Sequence, residues 1–284
     1  MDVTIPVVIV HRGYKRYLEN NIKITSKKNY IYLIGDQSLK HLENKYQNLK
    51  YIFIEDMINS EVLEYKKYFV NYSTNNSNFE WHCFERIFIL EKFIKQYKYE
   101  KIFHIDSDNV LLVNVNNLKY LYDTAFCIPN FQNNFRMDAS IHSGLLSKSF
   151  INQFKTLYVN IYINKSKFEL IEQKINYHKI NNIKGGVCDM TLYYLIFKDN
   201  LIDIQNLLHP VKDFDGKEYI FMNNLNLSEG YLSKNNFKVK NGKIKIYKDK
   251  SVLDIVKNKK FKLANIHFQG SSKKYLNKLA TFKY

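Results

Sequence analysis

Lys101-Ile-Phe-His-Ile-Asp-Ser-Asp108 is the stretch from which the rest of the chain can be placed. Two carboxylates follow directly on an apolar run, and in open α/β sheets ligands bind just beyond the carboxyl ends of the strands. Carboxylates two residues apart in an extended turn can point into one crevice and share a hard cation such as Mg²⁺ or Mn²⁺, leaving positions open for phosphate oxygens. By itself the triplet also fits a solvated turn after a strand, because Asp populates turns freely.

Working outward, Ile5 to Val10, Tyr30 to Gly35, Tyr51 to Ile54, Lys101 to Asp106 and Thr124 to Ile128 read as strands, with amphipathic segments between them. The clearest helix lies just before the Asp-x-Asp strand, where Phe84, Ile87, Phe88, Leu90, Phe93 and Ile94 form a broad apolar stripe. This alternation predicts an α/β fold with a mixed, mostly parallel sheet and helices on both faces. Past residue 130, Ala139 to Ser147 reads as a strand, Ser149 to Ile161 as a helix and Asn164 to Asn182 as a polar connection. Asp189 to Phe197 reads as a helix; Gly185 and Gly186 precede it, and Asp189 in its first turn suits the positive end of the dipole. Phe237 to Lys240 and Lys243 to Tyr247 flank Asn241-Gly242, a type I′ hairpin signal and the C-terminal extension of the fold. No repeat or change of composition marks a boundary. Residues 1–284 are expected to form one domain.

The 284 residues suffice for a large core, and 43 Lys and Arg against 27 Asp and Glu give a formal charge of +16. That sign suits polyanions, anionic membrane surfaces or phosphorylated substrates. The lysines read as scattered and match no recognition module, so nucleic acid is not the expected partner. Cys83, Cys127 and Cys188 form no CxxC pair and are odd in number, which argues against a disulfide framework or a zinc knuckle and for a reducing compartment. The apolar stretch ending at Val10 is too short for a secretory segment, and no run approaches the ~18 apolar residues of a membrane span. A cytoplasmic protein, at most peripheral at a membrane, is expected. Asn-x-Ser sequences at Asn71, Asn75, Asn164 and Asn226 are then chance products of an Asn-rich chain.

Two other readings of Asp106 and Asp108 compete. A calcium loop counted from Asp106 puts Val110 fifth, Leu111 sixth where Gly is needed, and Asn117 twelfth where Glu is needed, so it fails. Asp106 to Leu111 also resembles the nucleophile loop of haloacid-dehalogenase-type phosphatases, with Asp106 as nucleophile. In those enzymes the loop follows the first strand, whereas here roughly a hundred residues precede it; Asp213 and Asp215 are the later acids available to that reading. A non-catalytic basic binding protein is the third alternative.

Asn265-Ile-His-Phe-Gln-Gly-Ser-Ser-Lys273 weighs most. It supplies a metal ligand in His267, a backbone at Gly270 that can approach phosphate closely, and a cation in Lys273. Taken with three other stretches, the chain resembles the GT-A glycosyltransferases, most closely glycosyltransferase family 8, the glycogenin and bacterial galactosyltransferase-like group. The stretches are Cys83 through Arg86 to Leu112, like the family's Arg-bearing helix and Asp-x-Asp strand; Ile141-His-Ser-Gly-Leu-Leu, like its Asn-Ser/Ala-Gly-Val segment; Cys188-Asp-Met-Thr-Leu, like its Asp-Gln helix; and His267 to Lys273, like its His-x-x-Gly-x-x-Lys. They occur in the family's order and span residues 83 to 275, about two-thirds of the chain.

The resemblance implies a GT-A, Rossmann-like nucleotide-sugar fold, with a nucleotide-binding half over 1–130 and an acceptor-side half over 131–284, and a Mn²⁺ or Mg²⁺ ion held by Asp106, Asp108 and His267. Asp106 would also lie near the ribose, and Arg86, Gly270 and Lys273 would contact the donor and its diphosphate. Ser143 and Gly144 would run along the sugar, and Asp189 would lie near the reacting centre. The implied activity is hexosyl transfer from a nucleotide-sugar donor, a UDP-sugar, to a glycan, lipid-linked or phosphorylated acceptor. Three features depart from the family: His11-Arg12-Gly13 replaces its acidic uridine-binding start, Met190 stands where it has Gln, and Lys274-Tyr275 replaces Pro-Trp. Retention and inversion both remain open, and under inversion Asp189 is the candidate base.

Overall fold

In the computed structural model, which describes residues 4–129, 136–225 and 237–279, the apolar runs lie side by side. Val7–His11 pairs in parallel with Ile31–Gly35 and Lys101–Ile105, and Ile31–Gly35 pairs in parallel with Leu49–Phe53. On the other side of Lys101–Ile105 comes Ser140–Ser147, antiparallel to it and to Ala125–Cys127; Gln205–Asn206, parallel to Ala125–Cys127, closes that edge. The sheet is thus mixed and mostly parallel, and the expected strands hold to within about two residues at each end, the usual scatter of boundaries. Ser140–Ser147, from the second half of the sequence, sits between strands of the first, so both halves build one sheet.

Both faces are covered, which is why the strands are apolar nearly throughout rather than alternating. Val8, Ile34 and Ile52 pack beneath Ser77–Tyr97, Lys148–Tyr158 and Asp189–Lys198. Val7, Ile9, Ile31 and Leu33 turn the other way, onto Leu18 and Ile22 of Arg16–Thr25 and Leu39 and Leu42 of the 3₁₀ segment Gln37–Lys45. The long helix Ser77–Tyr97 starts at Asn76, whose side chain accepts from the amides of Asn78 and Phe79, and stops at Lys98 in a left-handed conformation.

One expected connection is a helix. Glu169–Ile180 occupies most of Asn164 to Asn182, but only Ile171 and Lys174 on it are buried, so its apolar stripe is too thin to read from the sequence. Glu169 and Glu172 at its start and His178 and Lys179 at its end suit its dipole.

A second sheet runs Ser251–Asp254, Lys259–Leu263, Glu218–Ile220, Val211–Asp213, Leu118–Lys119. Beside it, Val239–Lys240 and Lys243–Ile244 form the expected hairpin, with φ +51° at Asn241 and +70° at Gly242, as a type I′ turn requires. Asn265–His267 pairs antiparallel with Asn109–Leu111, which carries the C-terminal segment back to the Asp-x-Asp turn. Among the described residues no helix is long and apolar enough to cross a membrane. Asn226 lies outside them.

Candidate metal centre

The chain leaves Lys101–Ile105 at Asp106 and turns at once into Asn109–Leu111, closed by the Asn109 amide donating to the Asp106 carbonyl at 3.0 Å. The turn is gripped from below by Arg16–Thr25. Asn21 Nδ2 donates to the carbonyls of Asp106 (3.3 Å) and Ser107 (3.1 Å), and Thr25, bonded to Asn21 at 2.7 Å, accepts from the Leu111 amide. The pairing register sets His267 opposite Asn109, and the Phe268 amide donates to the Asp108 carbonyl at 2.9 Å. A histidine far along the sequence is thereby held beside both carboxylates.

One ligand atom from each of Asp106, Asp108 and His267 lies within 4.8 Å of the other two. His267 Nδ1–H donates to the Asn223 carbonyl at 2.6 Å, which leaves Nε2 facing the acids, 3.4 Å from Asp108 Oδ1. That outer hydrogen bond is the usual device for aiming a metal-ligating imidazole. The His142 ring stacks on the His267 ring at 4.2 Å and 13° and fixes its plane. Two carboxylates and one imidazole, with no thiolate, suit a hard to borderline cation such as Mg²⁺ or Mn²⁺.

The charges are balanced locally. Lys273 Nζ lies 3.1 Å from Asp108 Oδ2, reached from the turn at Gly270, whose φ of +59° a side chain would strain. Burial is the largest influence on Asp108 and opposes its charge, but the hydrogen bond and charge of His267 together with Lys273 hold the carboxyl below its usual range. Burial likewise disfavours charge on Asp106, and the Arg86 guanidinium, His104 and His267 together override it, holding the carboxyl far below the ordinary value. Arg86, projecting from Ser77–Tyr97, donates through Nη1 to Asp106 Oδ1 and through Nη2 to Asp189 Oδ2 at 2.9 Å. Tyr193 OH donates to the same Asp189 oxygen and the Met190 amide to the other, both at 2.9 Å.

These groups line one cavity of about 650 Å³ at the carboxyl edge of the sheet. Asp106, Asp108, His267, Arg86, Asp189, Gly270 and Lys273 all reach it. Ser143 and Gly144 do not, contrary to what the resemblance implies. The Ser143 hydroxyl accepts from Asn109 and Asn265 and is fully buried, while the wall at that strand is made by Ser140 and His142. His142 was within the segment that resembles the family's sugar-side motif, in the place of its Asn, yet it carried no separate signal. His11, which stands where the family has its acidic uridine-binding start, is also on the wall, as is Tyr17, which carries no signal because an aromatic on an amphipathic helix looks like core. Asp213 and Asp215 lie elsewhere: Asp213 Oδ1 closes a turn by accepting from the amides of Asp215 and Lys217, which removes the second acid pair from the phosphatase reading.

No family model matches the sequence, and no curated protein matches it. Solved structures do show likeness. Mouse xyloside xylosyltransferase 1 in its apo form gives a TM-score of 0.45 at 9% identity, over 72% of this chain and 84% of that one. The PaToxG glycosyltransferase gives 0.41 at 14%, over 70% and 71%. A glycosyltransferase involved in glycosylation of the major capsid of PBCV-1 gives 0.39 at 9%, over 97% and 98%. Scores of this size describe broad likeness of chain path and leave the chemistry of the cleft to its own residues.

Proposed function

We propose that this protein is a metal-dependent glycosyltransferase of the GT-A type that moves a sugar from a UDP-sugar to a glycan, lipid-linked or phosphorylated acceptor. The observation that carries the reading is the meeting of Asp106, Asp108 and His267 with Lys273 and Arg86 in one cavity of about 650 Å³, a volume in the range of small-ligand sites. Acids alone would repel a diphosphate; acids that hold a cation, ringed by Lys and Arg, attract one.

When bound, a divalent cation supplies Lewis-acid neutralisation of the charge that builds on the diphosphate leaving group. Asp106, Asp108 and His267 hold it. Lys273, paired with Asp108, adds a positive charge, and the backbone at Gly270 lets phosphate approach closely. Arg86 keeps Asp106 ionised and ready to ligate, and ties it to Asp189. The Asp189 carboxylate already accepts from Arg86, Tyr193 and Met190, so its lone pairs are largely spoken for. That occupancy favours an orienting role beside the donor sugar over proton abstraction from the acceptor, and with it the retaining course.

The test is a calorimetric titration of UDP and GDP into the protein with and without Mn²⁺, repeated on Asp108→Ala. UDP binding that requires Mn²⁺ and disappears in the variant is expected. No nucleotide binding under either condition, together with hydrolysis of an aryl phosphate, would sink the transferase reading.

A further inference from the structure

Half of the formal charge sits in a small part of the chain. Residues 238–263 contain ten lysines and two aspartates, a net +8 of the total +16, and no arginine. The lysines are therefore concentrated, against the scattered reading of the whole sequence. This segment folds as the hairpin around Asn241-Gly242 followed by the hairpin Ser251–Asp254 and Lys259–Leu263, joined where the Lys238 amide donates to the Leu253 carbonyl at 2.9 Å.

The second hairpin ends unusually. Asp254 pairs with Lys259, so the turn is Ile255-Val256-Lys257-Asn258, closed with Asn258 at φ +46°. Turns normally carry Gly, Asn, Asp or Ser. Here two adjacent aliphatic residues stand at the tip, Ile255 53% and Val256 73% exposed, while Val252, Phe261 and Leu263 on the same hairpin are buried in the core beneath it. Lys257, Lys259 and Lys260 are exposed around them. Lys259 pairs with Glu218, and Lys260 lies 4.7 Å from the Tyr247 ring.

We infer that this hairpin tip docks on an anionic lipid bilayer, with Ile255 and Val256 entering the interface and the surrounding lysines resting on acidic headgroups. An apolar tip rimmed by long, snorkelling cations is the composition that interface favours. A nucleic acid would gain nothing from the aliphatic pair and would be better held by the bidentate guanidinium that the segment lacks. The strand leaving the tip runs through Ala264 into Asn265–His267, so the metal ligand is eight residues from Lys259, no more than about 26 Å along an extended chain. Docking there would hold the cavity within reach of an acceptor at the membrane surface. The inference does not depend on which reaction the cavity performs.

Sedimentation of the full chain with vesicles of phosphatidylcholine alone, or of phosphatidylcholine mixed with phosphatidylserine, tests it. The protein should pellet with the mixed vesicles and remain in solution with the neutral ones. Ile255→Ser with Val256→Ser should weaken partitioning roughly tenfold. Lys257→Gln with Lys260→Gln should weaken it about fivefold per lysine. All four positions are exposed, so melting temperatures should stay unchanged and exclude misfolding. Failure of the wild type to pellet, or binding that is insensitive to the aliphatic pair, would overturn the proposal. Displacement by single-stranded RNA that is equally tight in the aliphatic variant would also overturn it, in favour of a nucleic-acid surface.

Discussion

Arg86 is the residue on which the electrostatics of the cleft turn. It is largely enclosed, with 16% of its side chain exposed, between two carboxylates on different elements, Asp106 at a strand end and Asp189 at a helix start. Burial works against its charge, and Asp106, Tyr193 and Asp189 together more than compensate, raising its affinity for the proton well above the ordinary value. Removing the shared cation leaves two neighbouring carboxylates without their counter-charge, a loss that typically costs about 3 to 5 kcal/mol where the pair is buried. Arg86→Ala should therefore lose roughly that much stability in urea denaturation, and added Mn²⁺ should recover part of it by taking over the charge at Asp106. A loss below about 1 kcal/mol, the scale of an exposed pair, would mean that water screens the site more than the geometry implies.

At the scale of elements, the cleft depends on pieces that the hydrophobic pattern shows clearly and on one that it hides. Ser77–Tyr97, which presents Arg86, is visible as an apolar stripe and carries a side-chain cap at Asn76. Asn76→Ala should cost about 1 kcal/mol in thermal unfolding, because the amides of Asn78 and Phe79 lose their acceptor. Glu169–Ile180 has almost no stripe and forms through a few contacts, Lys174 among them, whose ammonium donates to the Arg136 carbonyl and the Thr191 hydroxyl. Such a helix is a tertiary product, and periodicity alone could not have announced it. The short strand pair of Asn109–Leu111 with Asn265–His267 is equally illegible: each strand has three residues, and what fastens them is the buried Asn265 amide, bonded to Asn109, Ser143 and Met222.

For the whole molecule, metal binding and folding are linked, since His267 and the Asp-x-Asp turn are adjacent only in the folded chain. A ligand at a hundred times its dissociation constant stabilises by about 2.7 kcal/mol, worth several degrees in a protein of this size. Saturating Mn²⁺ should accordingly raise the melting temperature of the wild type by several degrees and leave that of Asp108→Ala nearly unchanged; equal shifts in both would place the metal elsewhere. The sequence by itself determined the α/β layering, the Asp-x-Asp turn at a strand end, the long helix before it and the Asn-Gly hairpin. Each of these rests on local spacing, where period, turn chemistry and residue type act within a few positions. Only the tertiary structure decided that His142 rather than Ser143 faces the cavity, that Asp213 and Asp215 lie away from it, that Arg86 joins Asp106 to Asp189, and that the lysines gather around an apolar tip. Those outcomes depend on strand order, register and which face a side chain takes, and a shift of one residue along a strand reverses that face without changing the pattern from which the strand is read.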